Sequence, residues 1–212
     1  MFKHVTNEEC ERINRLQADY FSTVKDVFDP PYPEGVPRRL EIIVRAGDVR
    51  PHDTVADIGT GTGVLIPLIR AYTKAPIYAN DLSQSMLDTV TDRYHNVIPL
   101  LGGIRKLALP DASVDVFFIN ACYPNLVDKH ASFTNITRML KPGGRVIVSH
   151  PMGRGFAEFL KQAMPFPIDD FPASRDEAER LFRAYNLRVH SLVNEESLYI
   201  LRLDRGEGQS SM

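Results

Sequence analysis

The stretch VADIGTGTGVLIPLI, residues 55–69, restricts the fold more than any other part of this chain. A short apolar run closes on Asp57 and Ile58, three glycines alternate at 59, 61 and 63, and a second apolar run follows. Glycines so placed let the backbone turn sharply and bring its N–H groups against a ligand with no Cβ in the way. The pattern predicts a strand, a tight turn and a helix over GVLIPLIRAY. The same alternation continues downstream. PIYAND (76–81) reads as a strand, and SQSMLDTVTDRY as a helix capped by Ser83. NVIPLL and SVDVFFIN (113–120) read as strands, KHASFTNITRML as a helix and RVIVSH (145–150) as another strand. Strands alternating with helices of about ten residues build a parallel, doubly wound sheet. After a helix over Ser174–Tyr185, the segments LRVHSLVN and SLYILRL are parted only by Glu195-Glu196, too short a link for a crossover, so these two strands pair antiparallel. The expected fold is α/β, a doubly wound seven-stranded, mostly parallel sheet with a C-terminal antiparallel hairpin and helices on both faces.

Composition narrows the function classes. A chain of 212 residues can bury roughly 70% of its unfolded surface, so it needs no disulfide or metal to hold a core. The net charge of −2 lacks the excess of basic residues that non-specific nucleic-acid binding calls for. Two cysteines, Cys10 and Cys122, make neither a disulfide framework nor a metal cluster. The charged start, MFKHVTNEECERINRLQ, is no signal peptide, and the longest apolar runs are too short to span a bilayer, which points to the cytoplasm. Ahead of the glycine loop, residues 5–28 carry Ile13, Leu16, Tyr20, Val24 and Val27 at helical spacing. The prolines of DPPYPEGVP interrupt that helix, and a second is expected from Arg38 to Ala46.

Asp81 lies at the end of the second predicted strand, 22 residues after Gly59, where an acid can bind the hydroxyls of a ribose. A dinucleotide site would want a third glycine where Val64 stands. The spacing D-x-G-x-G-x-G over 57–63 resembles motif I of the class I S-adenosylmethionine (SAM) methyltransferases. YANDLSQSMLDTV, ALPDASVDVFFINACYPNLVD and ITRMLKPGGRVIVS (136–149) are similar to that family's later motifs, in the family's order. The resemblance extends over residues 40–150 and is closest to the small-molecule branch that includes the ubiquinone/menaquinone biosynthesis methyltransferases.

The resemblance implies SAM as cofactor and S-adenosylhomocysteine as product. It places Asp57, Gly59, Gly61 and Gly63 at the methionine end with the hydroxyls of Thr60 and Thr62. Asp81 takes the ribose, and Leu82, Met86, Gly103, Ile104 and Asn120 complete the cofactor site. Gly103 stands where the branch carries an adenine-binding acid, which leaves adenine to backbone and apolar contacts. It also divides the chain into an N-terminal helical lid (1–37), the SAM domain (38–204) and a disordered tail (205–212).

Methyl transfer is an in-line displacement, so the protein must align nucleophile, carbon and sulfur and exclude water. The catalytic candidates lie past the fourth and fifth strands. They are Tyr123, beside Asn120 in NACYPN, and His150 and Arg154 in SHPMGRGF, a titratable base and an anion-binding group. Cys122 reads as a buried thiol. The Phe- and Met-rich segment 153–174 suggests a lid over an apolar acceptor. The expected activity is methyl transfer to a small apolar or aromatic acceptor, with no metal and no nucleic-acid partner. A nucleic-acid or protein methyltransferase, or a non-catalytic SAM- or nucleoside-binding module, is the alternative, and the oligomeric state is open to a homodimer.

One motif argues otherwise. Asp29-Pro30-Pro31-Tyr32 matches the [DN]PPY tetrapeptide of enzymes that methylate adenine in DNA. There it follows the fourth strand, whereas here only 24 residues separate Tyr32 from Asp57. Context makes it a proline hinge between the lid and the core, from which Tyr20 or Tyr32 could reach substrate.

Overall fold

The computed structural model describes residue 2 and residues 5–206. Helix α1 (Asn7–Thr23) starts at Thr6, whose hydroxyl accepts the Glu9 N–H, and Glu8 and Glu9 suit the positive end of the helix dipole. Its buried residues are Cys10, Ile13 and Gln17, whereas Leu16 is 40% exposed. The buried face keeps Ile13 of the expected apolar row, with Tyr20 packed beside it, but leaves out Leu16 and takes in Cys10 and Gln17. The Gln17 amide donates to the Asn125 carbonyl at 2.9 Å, so the helix lies over polar backbone at the strand ends. A 3-10 turn (Lys25–Phe28) and the proline segment lead into α2 (Val36–Ala46), which starts two residues before the expected position.

The chain then runs through β1 (Val55–Ile58), α3 (Ile66–Arg70), β2 (Ile77–Asp81), α4 (Gln84–Arg93), β3 (Val97–Leu101) and β4 (Val114–Asn120). It continues through α5 (Lys129–Met139), β5 (Leu140–His150), α6 (Phe156–Ala163), α7 (Arg175–Phe182), β6 (Leu187–Glu195) and β7 (Leu198–Arg205). The seven strands lie in the order β3-β2-β1-β4-β5-β7-β6. All neighbours pair in parallel except β7, which runs antiparallel to both β5 and β6. Alternate residues of the central strands feed two cores. Ala56, Phe117 and Val146 pack on one face with α5 and α7, while Val55, Phe118 and Ile147 pack on the other with α2, α3 and α4. Each fully buried Phe contributes about 1.5–3 kcal/mol, and coverage of both faces is why β1 is buried at every position. Strand order reverses between β1 and β4, and a ligand crevice opens there at the strands' C-terminal ends.

Three details differ from expectation. The helix after the glycine loop is confined to Ile66–Arg70, because Gly61 (φ 55) and Gly63 (φ 85) hold the preceding residues in turns. Strand β5 begins at Leu140, since Leu140 pairs with Val114 and Arg145 with Val116, so the intervening KPGG bulges with Gly143 at φ 71. The β6–β7 link is Glu196-Ser197. Arg205 belongs to β7 and the Gly206 N–H donates to the Asn186 carbonyl at 3.2 Å, while the rest of the expected tail, 207–212, lies outside the described residues. Among the described residues, no helix is long and apolar enough to cross a membrane.

Candidate active site

The crevice is a cavity of about 360 Å³ beneath α1, lined by the ends of β1, β2, β4 and β5. Its floor is the glycine loop. Gly59 (φ 64) packs so closely on Cys122 that an added Cβ would sit on that residue's Sγ and Cβ. Gly61 (φ 55) has nothing within 4 Å of such a Cβ, so its backbone is open to a ligand. Asp57 accepts the Thr60 hydroxyl at 2.7 Å. Asp81 accepts the Gly61 N–H at 3.0 Å on one oxygen and the Ser83 N–H at 2.9 Å on the other. Burial pushes the Asp57 carboxyl up to about 7, the Thr60 bond opposing it and the nearby Asp81 adding to it. Burial also raises Asp81, against the N–H groups of Ser83, Gly61 and Leu82 that favour its charged form.

At the β2–β3 side the wall is Leu82, Met86, Gly103 and Ile104. A Cβ on Gly103 would meet the Asn14 amide nitrogen at 3.1 Å and Leu82 at 3.8 Å, so α1 fills the space that a side chain at 103 would take. The buried Asn80 donates to the carbonyls of Leu100 (2.8 Å) and Gly102 (2.7 Å), which fixes this end of β3 against the crevice. Arg105 ties it to α1 through Asn7 at 2.7 Å and Glu11 at 2.6 Å. Sequence reasoning missed Asn80, Arg105 and the cavity-lining Cys10, Asn14, Gln17 and Phe21. Positions 10, 14, 17 and 21 share a helix face, but two of them are amides, so no apolar period marks that face in the sequence.

Comparison with known proteins agrees with this geometry. A family model described as a methyltransferase domain matches residues 56–148, from β1 to β5. The chain is 28% identical over 207 residues to a ubiquinone/menaquinone biosynthesis C-methyltransferase (UbiE) of Burkholderia mallei, covering 89% of this chain and 83% of that one. By these matches the chain resembles the class I SAM-dependent methyltransferases. Magnesium protoporphyrin IX methyltransferase of Synechocystis, solved with S-adenosylhomocysteine, superposes with a TM-score of 0.69 at 15% identity, covering 92% of this chain and 100% of that one. The Haloferax volcanii complex of the Trm112 methyltransferase activator with a methyltransferase has a chain that superposes with a TM-score of 0.75 at 17% identity, covering 91% and 98%.

Asp57, Gly59, Thr60, Gly61, Thr62 and Asp81 all line this cavity, together with Leu82, Met86, Gly103, Ile104, Asn120 and His150. Three expected residues do not. Gly63 turns towards Tyr94 and Val90 and serves the packing of the loop. Tyr123, expected to touch acceptor, is 1% exposed and packs against Phe133, Phe171 and Phe182. The 3-10 turn Tyr123–Asn125 swings its ring into the core and leaves Ala121 and Cys122 at the cavity. Arg154 lies outside the lining, with its Nε buried and unpartnered among the described residues.

His150 reaches the cavity as a buried imidazole. Its ring sits against Phe156 at 5.1 Å and Phe171 at 6.0 Å, and burial pushes its pKa down to about 4, so the imidazole is neutral at pH 7. Burial likewise pushes the Cys122 thiol up to about 12, so it is no nucleophile at neutral pH. Of the aromatic segment, Phe156 lines the cavity, while Phe166 and Ile168 pack against Ile13 of α1 and Phe171 joins the core. Tyr32 lines the cavity, whereas Tyr20 packs on Phe21 and Phe166.

Proposed function

We propose that this methyltransferase carries the methyl group to a small, largely apolar acceptor that enters beside β5. The carrying observation is the division of the cavity. Asp57, Asp81 and the loop amides contribute polar groups at the ends of β1 and β2, while Phe28, Val36, Leu40, Pro151, Met152 and Phe156 make up an apolar share of the lining. A charged or strongly hydrated acceptor would lose solvation there without compensation. The names of the similar proteins, a quinone-pathway C-methyltransferase and a porphyrin methyltransferase, support an acceptor of that character.

SAM supplies an activated methyl on a sulfonium. Asp57, Thr60, Thr62 and the Gly59 and Gly61 backbone would hold its methionine end, and Asp81 its ribose. Leu82, Met86, Ile104 and the Gly103 backbone would pack the adenine, with Asn120 at the junction with the acceptor. What remains for the protein is alignment and exclusion of water. Residues 1–37 act as the lid, clasped by Gln17 on Asn125, Ser22 on Ser83 at 2.8 Å and Asp29 on Arg93 at 2.7 Å. Two free cysteines are consistent with a cytoplasmic location.

Calorimetric titration tests the reading. SAM and S-adenosylhomocysteine should bind with unit stoichiometry, and Asp81→Ala should weaken both by about 1–3 kcal/mol through lost charge-assisted hydrogen bonds. Binding of NAD in their place would refute the cofactor assignment. Unchanged affinity in the variant would remove Asp81 from the site.

A further inference from the structure

His150 is 97% withdrawn from solvent, being 3% exposed, yet its ring lines the cavity. The Met152 backbone N–H lies 3.1 Å from its Nδ1. A backbone N–H can only donate, so Nδ1 must present its lone pair. In a neutral ring the single proton then rests on Nε2. Nε2 has no protein partner among the described residues and is not sealed by neighbouring atoms. A hydrogen-bond donor of fixed tautomer therefore opens onto the cavity.

Asn120 gives a second donor on the neighbouring strand. It sits across from Ser149 in the β4–β5 register, and its Oδ1 accepts the Ser149 hydroxyl at 3.0 Å. Its Nδ2 is left without a protein partner among the described residues. Beside His150 the lining has Pro151, Met152 and Phe156, whose side chains offer no strong acceptor, and the Pro151 carbonyl is taken by Arg39. The three carboxylates of the lining already hold partners: Asp57 and Asp81 at the β1 and β2 ends engage Thr60, Gly61 and Ser83, and Asp128 at the start of α5 accepts the Ala131 N–H at 2.9 Å. An ammonium or amine at this end would find no acceptor, whereas an oxygen lone pair would find two N–H groups.

We infer that His150, through Nε2–H, orients the methyl acceptor and selects an apolar molecule bearing a carbonyl, phenol or enol oxygen over an amine or a plain hydrocarbon. This rests on the methyltransferase reading of the cavity and adds the polar feature the acceptor must carry. His150 acts as a donor throughout. Any proton lost by the acceptor therefore leaves by another route.

The experiment uses the full chain loaded with S-adenosylhomocysteine and three probes of one apolar size: 2-naphthol, naphthalene and 1-naphthylmethylamine. Wild type should bind 2-naphthol about tenfold more tightly than either of the others, the size of one hydrogen bond. His150→Phe should remove that preference and His150→Gln, which keeps an amide donor, should retain most of it. Affinity for S-adenosylhomocysteine should be unchanged in both variants. Equal or undetectable binding of 2-naphthol and naphthalene by the loaded wild type overturns the inference alone. Failure to bind S-adenosylhomocysteine overturns the methyltransferase reading and the inference with it. Should a variant not fold, 15N NMR of the wild-type imidazole decides. A neutral ring protonated at Nε2 supports the inference, and a ring protonated at Nδ1 or at both nitrogens refutes it.

Discussion

Gly59 and Gly61 share a loop and a left-handed backbone, but they face different surroundings, and replacing each by Ala separates structure from ligand binding. Both variants put a Cβ at positive φ, a strain of about 1–3 kcal/mol. Only at Gly59 does the new methyl strike Cys122, which adds about 1–3 kcal/mol of overpacking. At Gly61 it projects into the open cavity, with no protein atom within 4 Å. Gly59→Ala should therefore be the less stable of the two by about 1–3 kcal/mol in urea unfolding, or about 2–12 °C in Tm for a chain of this size. Gly61→Ala should stay folded and lose SAM affinity by about tenfold or more, because its methyl occupies ligand space. Cys122→Gly removes both atoms that the Gly59 methyl meets, so Gly59→Ala should cost less in that background. The cycle should show a coupling of about 1 kcal/mol or more. Equal stability loss at the two glycines together with zero coupling to Cys122 would refute the steric account of the loop.

Two further outcomes follow from buried charge. Asp57 has a folded-state pKa raised from 3.8 to about 7, so any stability it contributes is complete below pH 3.8 and is lost as pH rises through 7. If the cofactor's amino group requires the carboxylate, SAM affinity should fall towards tenfold per pH unit below 7, with up to one proton released per SAM bound at pH 6. Calorimetry in buffers of different ionisation enthalpy measures that proton, and its absence would show that Asp57 does not meet a cationic group. Elsewhere, Asp53 and Arg145 form an ion pair with 8% and 4% of their surfaces exposed, and Asp53 also accepts the Arg50 N–H at 2.9 Å. Asp53→Leu strands a buried guanidinium and should cost about 3–5 kcal/mol in urea unfolding, most of it recovered by adding Arg145→Met. A double variant as unstable as the single one would assign the loss to something other than the stranded charge.

The parts of this molecule that follow from local rules were legible in the chain. Alternating apolar runs and helical spacings placed the seven strands. The short β6–β7 link required antiparallel pairing, and glycines 59 and 61 with Asp57 and Asp81 marked the crevice, because turn geometry and strand period depend on near neighbours. Long-range contacts decided the rest. No local signal says that the 3-10 turn after β4 drives Tyr123 into Phe133 and Phe171, or that α1 turns Asn14 and Gln17, rather than Leu16, towards the cavity. The same holds for His150. Its sequence context offered a base, and the tertiary structure made it a neutral donor by burying it against Phe156 and Phe171 and giving its Nδ1 the Met152 N–H. Protonation depends on desolvation and partners, and both are supplied by chain segments that meet only when the protein folds.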